Sequence, residues 1–320
     1  MRHYIPAGGV TRRLAFAAGV SLLLGADAAS AKELKSIGVS VGFLTFPFFG
    51  SIAIGAEFEA RKINPNVKVT AVEHYQDPAT QSAQIDAFIA AGVDLIVLSP
   101  SDPSAIEAAI DRAHKAGVPV VAADSRTAGA DVTVATNNVQ AGSIACEYLV
   151  DKMGGKGAML ILSFAVPSTG ADRAKGCSDV VAKRPDVRIL PQNEDTIGSR
   201  EGGFSVGAAL LGRFPQVDGV FALNDYSALG MAAAAKKANR ANFPIVAVDG
   251  TPDAVQALKD PNLPQFVGTA SQDPFLMGRI AVQAGTKILD GQKPDRDVLQ
   301  MDSKMVTREN VNEYKGWTSK

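Results

Sequence analysis

The sequence predicts an α/β protein built as two similar doubly wound parallel-sheet lobes. Three observations carry that expectation: apolar runs of strand length alternate with stretches of helical period, helix starts are punctuated by a capping residue and a proline, and the whole order occurs twice. In the first half the strand-like runs are Ile37 to Phe43, Val67 to Val72, Leu95 to Leu98 and Val118 to Ala122, separated by helical stretches Ile52 to Ile63, Ala79 to Ala91 and Ala105 to Ala116. Four pairs mark helix starts: Asp77-Pro78, Asp102-Pro103, Thr251-Pro252 and Asp273-Pro274. In each, the side-chain oxygen accepts an orphan backbone N–H, and proline at the first helical position has none to satisfy.

The second copy begins near Lys156, with strands Ala158 to Leu162, Val187 to Leu190, Val217 to Leu223 and Ile245 to Val248, and helices over 171 to 183, 201 to 213 and 226 to 238. Asn64-Pro65-Asn66-Val67-Lys68-Val69 matches Arg184-Pro185-Asp186-Val187-Arg188-Ile189 at an offset of 120. Val93-Asp94 matches Val217-Asp218 at 124, and Val118-Pro119-Val120-Val121 up to Asp124 matches Phe243-Pro244-Ile245-Val246 up to Asp249 at 125. In doubly wound sheets ligands bind at the carboxyl ends of the strands, so a cleft between two facing strand edges is the expected site.

Composition narrows the function. With 320 residues, 46% hydrophobic and 20% charged, the chain can bury a sizeable core and is not intrinsically disordered. Thirty-two Lys+Arg against 33 Asp+Glu, with no long basic run, exclude a nucleic-acid partner. Three His and two Cys in no zinc spacing exclude a structural zinc site, and no metal or other cofactor is expected.

Residues 1–31 differ from the rest. Arg2, Arg12 and Arg13 precede the apolar run Leu14 to Gly25, and Ala29-Ser30-Ala31 closes the segment, the three-part order of a cleavable signal peptide. The run is too short to cross a hydrocarbon core of ~30 Å as a helix, and no later stretch is long enough either, so no membrane insertion is expected. Ala15 stands where a twin-arginine signal has a large apolar residue, which points to general secretion. Export would permit a bond between Cys146 and Cys177, on successive helices, if their Cα atoms come within about 7 Å.

Several segments together resemble the periplasmic ribose-binding protein family. They are Leu44-Thr45-Phe46-Pro47-Phe48-Phe49, Pro119 to Asp124, Asn224-Asp225-Tyr226-Ser227-Ala228-Leu229-Gly230, Val248-Asp249-Gly250-Thr251-Pro252-Asp253 and Gln272, in order across nearly the whole chain after the signal. The resemblance implies the type I periplasmic binding protein fold, with three strands crossing between lobes. Residues 32–136 plus 273–301 would form the first lobe and 137–272 plus 302–320 the second. It also implies a monomer that closes on a monosaccharide or polyol and delivers it to the membrane permease and ATPase of an ABC transporter.

The residue chemistry is compatible with that reading. A sugar offers hydroxyls on its edges and C–H groups on its faces, so its receptor needs polar side chains beside flat aromatic surfaces. Phe46, Phe48 and Phe49 supply surfaces, unless they only pack a helix start. Asp124, Asn224, Asp249 and Gln272 supply polar groups at predicted strand ends, where capping or a hinge role is the plainer reading. The chain departs from the ribose pattern at Phe46, at Ser125 and Ala171, where the family has arginines, and at Ile197, which makes ribose itself doubtful; Arg126 and Arg173 either replace those arginines or are solvated surface charges. Trp317 reads as a packing anchor rather than a ligand contact.

Competing functions fit less well. Asp249-Gly250-Thr251 shares part of a phosphotransfer motif, but Ala247 stands where that motif needs a second carboxylate. No dinucleotide, P-loop or nucleophile-elbow signature is present, so no enzyme is expected. Only Lys32 to Ser36 separates the signal from the first strand, too few residues for a repressor's DNA-reading headpiece. Presentation of the ligand to a chemoreceptor stays open as an alternative to transport.

Overall fold

The structure is a computed structural model that describes Met1, His3 and residues 33–164, 168–240 and 242–317. The expected export signal at 1–31, Met1 and His3 apart, lies outside the described residues. In chain order the elements are β1 (Ser36–Val41), α1 (Pro47–Ile63), β2 (Lys68–Glu73), α2 (Pro78–Ala90), β3 (Leu95–Leu98), α3 (Glu107–Lys115), β4 (Val120–Ala123) and β5 (Val132–Thr136). There follow α4 (Asn138–Lys152), β6 (Gly157–Leu162), α5 (Thr169–Val181), β7 (Val187–Ile189), α6 (Arg200–Arg213), β8 (Gly219–Ala222), α7 (Asp225–Lys237), β9 (Ile245–Asp249), α8 (Pro252–Lys259) and β10 (Phe266–Ser271). The chain continues through α9 (Pro274–Leu289), β11 (Val298–Met301) and β12 (Met305–Thr307).

The strands form two six-stranded sheets, ordered β11-β5-β4-β3-β1-β2 and β12-β10-β9-β8-β6-β7, parallel except where β12 runs against β10. Apart from its edge partners, each sheet has the same winding, so the repeat read from the sequence is a repeat of topology. Helices cover both faces, which explains why the inner strands are apolar at nearly every position: Leu95–Leu98, Val120–Ala123 and Ile245–Val248 are buried throughout.

The chain passes between sheets three times, from β5 into α4, from β10 into α9 and from β11 into β12. These crossings are cross-tied. The Thr136 hydroxyl donates to Gln272 Oε1 at 2.7 Å, Asn137 Nδ2 donates to Asp302 Oδ1 at 3.1 Å, and Gln140 exchanges two hydrogen bonds with the Ser303 backbone.

Three of the four cap–proline pairs work as expected: Asp77, Thr251 and Asp273 each accept backbone N–H groups of the helix that follows. Asp102 does not open a helix. Its carboxylate accepts the N–H groups of Ser104 and Ala105 in a separate turn, and α3 begins only at Glu107. The Pro103 carbonyl accepts from the Ala128 N–H and the Thr127 hydroxyl, which diverts the acceptor that a helix starting there would use.

Cys146 of α4 and Cys177 of α5 are bonded, with Cα atoms 5.0 Å apart. Glycines let these helices approach so closely: a Cβ on Gly176 would lie 2.1 Å from the Val139 carbonyl oxygen, and one on Gly142 the same distance from that of Arg173.

Candidate functional site

The carboxyl ends of both sheets converge on a cavity of about 810 Å³. The segments after β1, β2, β3 and β4 line it from one sheet, and those after β6, β7, β8, β9 and β10 line it from the other. Eight of the nine candidate ligand residues, Phe46, Phe48, Phe49, Asp124, Arg173, Asn224, Asp249 and Gln272, are brought together there.

The aromatic wall starts at the N-terminus of α1. Pro47 occupies the first helical position, and Phe46 is an N-cap without a capping side chain, so its ring is free to reach outward. Phe46 is 39% exposed and lies 5.6 Å from the Tyr226 ring of the other sheet's α7. Phe48 is buried, edge-on to Phe49 at 5.6 Å and to Trp317 at 5.4 Å. Trp317 is indeed a packing anchor, with its indole N–H donating to the Asp249 carbonyl at 3.0 Å, but it also lines the cavity.

The polar groups are set by backbone geometry at equivalent strand ends. Asp124 and Asp249 both adopt positive φ, 78° and 140°, conformations rare for a residue with a side chain. Such strain persists where the surroundings over-determine it, and it concentrates at functional sites. Asp249 Oδ1 accepts from Arg173 Nη1 at 3.1 Å and from Gln272 Nε2 at 2.7 Å. Asp249 Oδ2 faces the Asp225 N–H at 3.4 Å.

Arg173 is only 3% exposed, and its Nε and Nη1 donate to Asn138 Oδ1 and the Leu223 carbonyl. Gln272 is no exposed hinge residue: it is buried, taking the Thr136 hydroxyl on one side and holding Asp249 on the other. Asn224 caps α7 through the Ser227 N–H while its amide donates to the Gly198 carbonyl at 2.8 Å.

Arg126 is the candidate that is not brought in. It is absent from the cavity lining, its side chain is 54% exposed, and its guanidinium meets Asp172 of α5 at 3.1 Å, which makes it a surface pair between the sheets' helices and loops.

Burial governs the ionisation of the acids. The Asp124 carboxyl is pushed up to about 6 by burial, against the pull of Arg173 and the Ser125 hydroxyl. Asp249 is also raised by burial, opposed by Arg173 and Gln272. Asp225 was not singled out by the sequence. It is fully buried, accepts the Thr251 N–H through Oδ2 at 2.7 Å, leaves Oδ1 without a hydrogen-bond partner among the described residues, and is raised to about 8 by burial and by Asp249. Burial and the neighbouring Asp249 charge both favour its protonated form. Its sequence signal was its place in the Asn224–Gly230 segment of the resemblance, where it was not picked out as a ligand residue. Tyr226, in the first turn of α7, also lines the cavity and was not picked out within its quoted segment; Phe164, Gln76 and the turn Ser99–Pro103 line it too and were missed, because loop residues without a repeating pattern carry no positional signal.

Among the described residues no helix is long and apolar enough to cross a membrane. Residues 37–293 match the periplasmic binding protein domain family. The ribose import binding protein of Bacillus subtilis (strain 168) is 33% identical over 83% of this chain and 86% of its own length. The xylitol-binding protein of Mycolicibacterium smegmatis is 28% identical over 91% and 81%. Among solved structures, a periplasmic solute-binding protein of an ABC transporter from Actinobacillus succinogenes 130z with bound D-allose superposes with a TM-score of 0.79 at 26% identity, covering 88% of this chain and 100% of that one. The matched span and the curated relatives agree with the two-sheet architecture and its facing strand ends: this chain belongs to the periplasmic binding protein family.

Proposed function

We propose that the protein is the exported substrate-binding component of an ABC transporter, which captures a monosaccharide or polyol between its two lobes and hands it to the membrane permease. The observation that carries this reading is the convergence of Asp124 from one sheet and Asp249 with Arg173 from the other on one aromatic-walled cavity. Carboxylates and a guanidinium make charge-assisted hydrogen bonds to hydroxyls, and the rings cover C–H faces. No bond is made or broken; ligand contacts from both lobes favour the closed arrangement, which is how binding becomes a change of shape. The relatives' names, ribose import, xylitol binding and a D-allose complex, belong to the same chemical class. Location in the periplasm, cleavage of residues 1–31, lobes of 32–136 plus 273–301 and 137–272 plus 302–320, and action as a monomer are parts of the same proposal.

A thermal-shift panel of pentoses, hexoses, deoxy sugars and polyols tests it. A ligand at 100 times its dissociation constant stabilises the fold by about 2.7 kcal/mol. At roughly 2 to 4 °C per kcal/mol for a chain of this size class, the hit raises Tm by about 5 to 10 °C. A panel in which no compound moves Tm contradicts the reading.

A further inference from the structure

We propose that His74 is a positioning residue for ligand binding: its neutral imidazole joins two first-sheet segments that line the cavity, and a proton taken up on the ring loosens them and weakens the ligand's hold. The proposal rests on the sugar- and polyol-binding reading above and adds a pH dependence to it.

His74 directly follows β2 and is fully buried. Both ring nitrogens are in use, and their partners fix where the hydrogen sits. The Ser99 carbonyl, 3.0 Å from Nε2, can only accept, so Nε2 carries the hydrogen. The Gln76 backbone N–H, 3.1 Å from Nδ1, can only donate, so Nδ1 is bare. Gln76 lies after β2 and Ser99 after β3, and both line the cavity. One side chain thus ties together two walls of the same site.

The two ties differ in what else supports them. The Ser99 carbonyl also accepts from Gln81 Nε2 at 3.0 Å, and Gln81 Oε1 accepts the Ser101 N–H at 2.7 Å, so the Ser99 turn has a second anchor. On the other side Tyr75 and Gln76 have φ of 54° and 59°, two successive left-handed residues with side chains, a conformation that persists only where its surroundings enforce it. The acceptor for the Gln76 N–H is the imidazole itself. Gln76 also reaches the aromatic wall: a Cβ on Gly42 would lie 2.8 Å from the Gln76 amide nitrogen and 2.8 Å from the Phe49 ring, so both occupy the space that this glycine leaves open.

A proton on Nδ1 sets one N–H against another and drives the Gln76 backbone out of its strained turn. The neighbours do little to prevent this. From β2, Glu73 is taken by the Leu44 N–H and the Tyr75 hydroxyl; from the start of α2, Asp77 is taken by the N–H groups of Ala79 and Thr80. Ser40 of β1 and Gln81 and Gln84 of α2 are neutral and bonded to one another or to backbone. Burial lowers the His74 imidazole from its ordinary value, against the pull of the Ser99 carbonyl and of Asp77, so the ring is neutral at neutral pH and the loosening belongs to acid conditions.

The test is isothermal titration of the full protein with D-ribose, D-allose, xylitol and myo-inositol at pH 7.5 and 4.5, in wild type, His74→Asn and His74→Gln. Asparagine keeps an acceptor in the place of Nδ1 and does not titrate; glutamine keeps a donor in the place of Nε2 and lacks the acceptor for Gln76. Asp124 and Asp249 are common to all three proteins, so the difference between them isolates the imidazole. For the probe that binds, the wild-type Kd should weaken from pH 7.5 to 4.5 by at least about threefold more than that of His74→Asn, and at pH 7.5 His74→Asn should bind more tightly than His74→Gln. In the ligand-free wild type, the Gln76 amide resonance should move with the same midpoint as the His74 ring, which decides the matter if a variant fails to fold. Equal pH dependence in wild type and His74→Asn, or a Gln76 amide indifferent to the His74 titration, overturns the positioning role and leaves sugar binding intact. No binding by any probe at either pH overturns both.

Discussion

Replacing Asp249 by alanine strikes the group on which the second-sheet half of the site depends. The substitution removes the acceptor of Arg173 Nη1 at 3.1 Å and of Gln272 Nε2 at 2.7 Å, and it leaves a guanidinium only 3% exposed beside no carboxylate within its hydrogen bonds. Breaking one side of a buried pair costs about 3 to 5 kcal/mol, because an uncompensated charge stays behind. At roughly 2 to 4 °C per kcal/mol that is a fall in Tm of about 6 to 20 °C. Affinity for the ligand falls separately, by about 1.5 to 3 kcal/mol for a lost charge-assisted bond, which is on the order of tenfold to 150-fold in Kd. Calorimetric unfolding and isothermal titration measure the two losses. Adding Arg173→Met removes the orphaned cation, so the double variant regains stability but not affinity. An Asp249→Ala protein with unchanged Tm, or with wild-type affinity, refutes the assignment of Asp249 as both partner of Arg173 and ligand acceptor.

Other perturbations follow from the same geometry. Replacing Cys146 and Cys177 by serine opens a loop of sequence separation 31 and should cost about 3 to 4 kcal/mol in chemical denaturation, with Kd unchanged. Gly176→Ala places a methyl 2.1 Å from the Val139 carbonyl and should lose about 1 to 3 kcal/mol, read as a lower denaturation midpoint. Arg126→Ala removes an exposed pair and should change ligand Kd by less than about 1 kcal/mol in titration calorimetry, whereas Phe46→Ala, which opens the ring contact to Tyr226, should speed ligand release in stopped flow. Asp124 faces Ser125 in its own loop, Arg173 of α5 and Asp249 of β9, and its folded pKa of about 6 lies above the ordinary carboxylate range, so its stabilising proton is present below that range and lost as pH rises through 6. The unliganded wild-type protein should therefore lose more Tm than Asp124→Asn between pH 5 and 7.5; equal losses contradict the assignment.

Much of this architecture is legible because it is written in local chemistry. Asp77, Thr251 and Asp273 cap their helices through atoms one turn away, and the repeat that places Asp124 opposite Asp249 is carried by the strand sequences themselves. Asp102 fails as a helix start because a distant loop, at Thr127 and Ala128, claims the Pro103 carbonyl. Arg126 and Arg173 look alike in sequence; only the close approach of α4 and α5, with Asn138 and Asp249 beside it, makes Arg173 a buried member of the cavity and leaves Arg126 at the surface. Asp225 acquires its raised carboxyl from burial and from Asp249, 24 positions away, which no window of sequence contains.

The most direct test of the central claim is a crystal structure of the protein with the ligand that the thermal-shift panel identifies. The account predicts one molecule in the cavity, bonded at once to Asp124 and to the Asp249–Arg173 pair, with a ring face against the aromatic wall. A ligand touching only one sheet's strand ends, or seated on the outer surface, contradicts it.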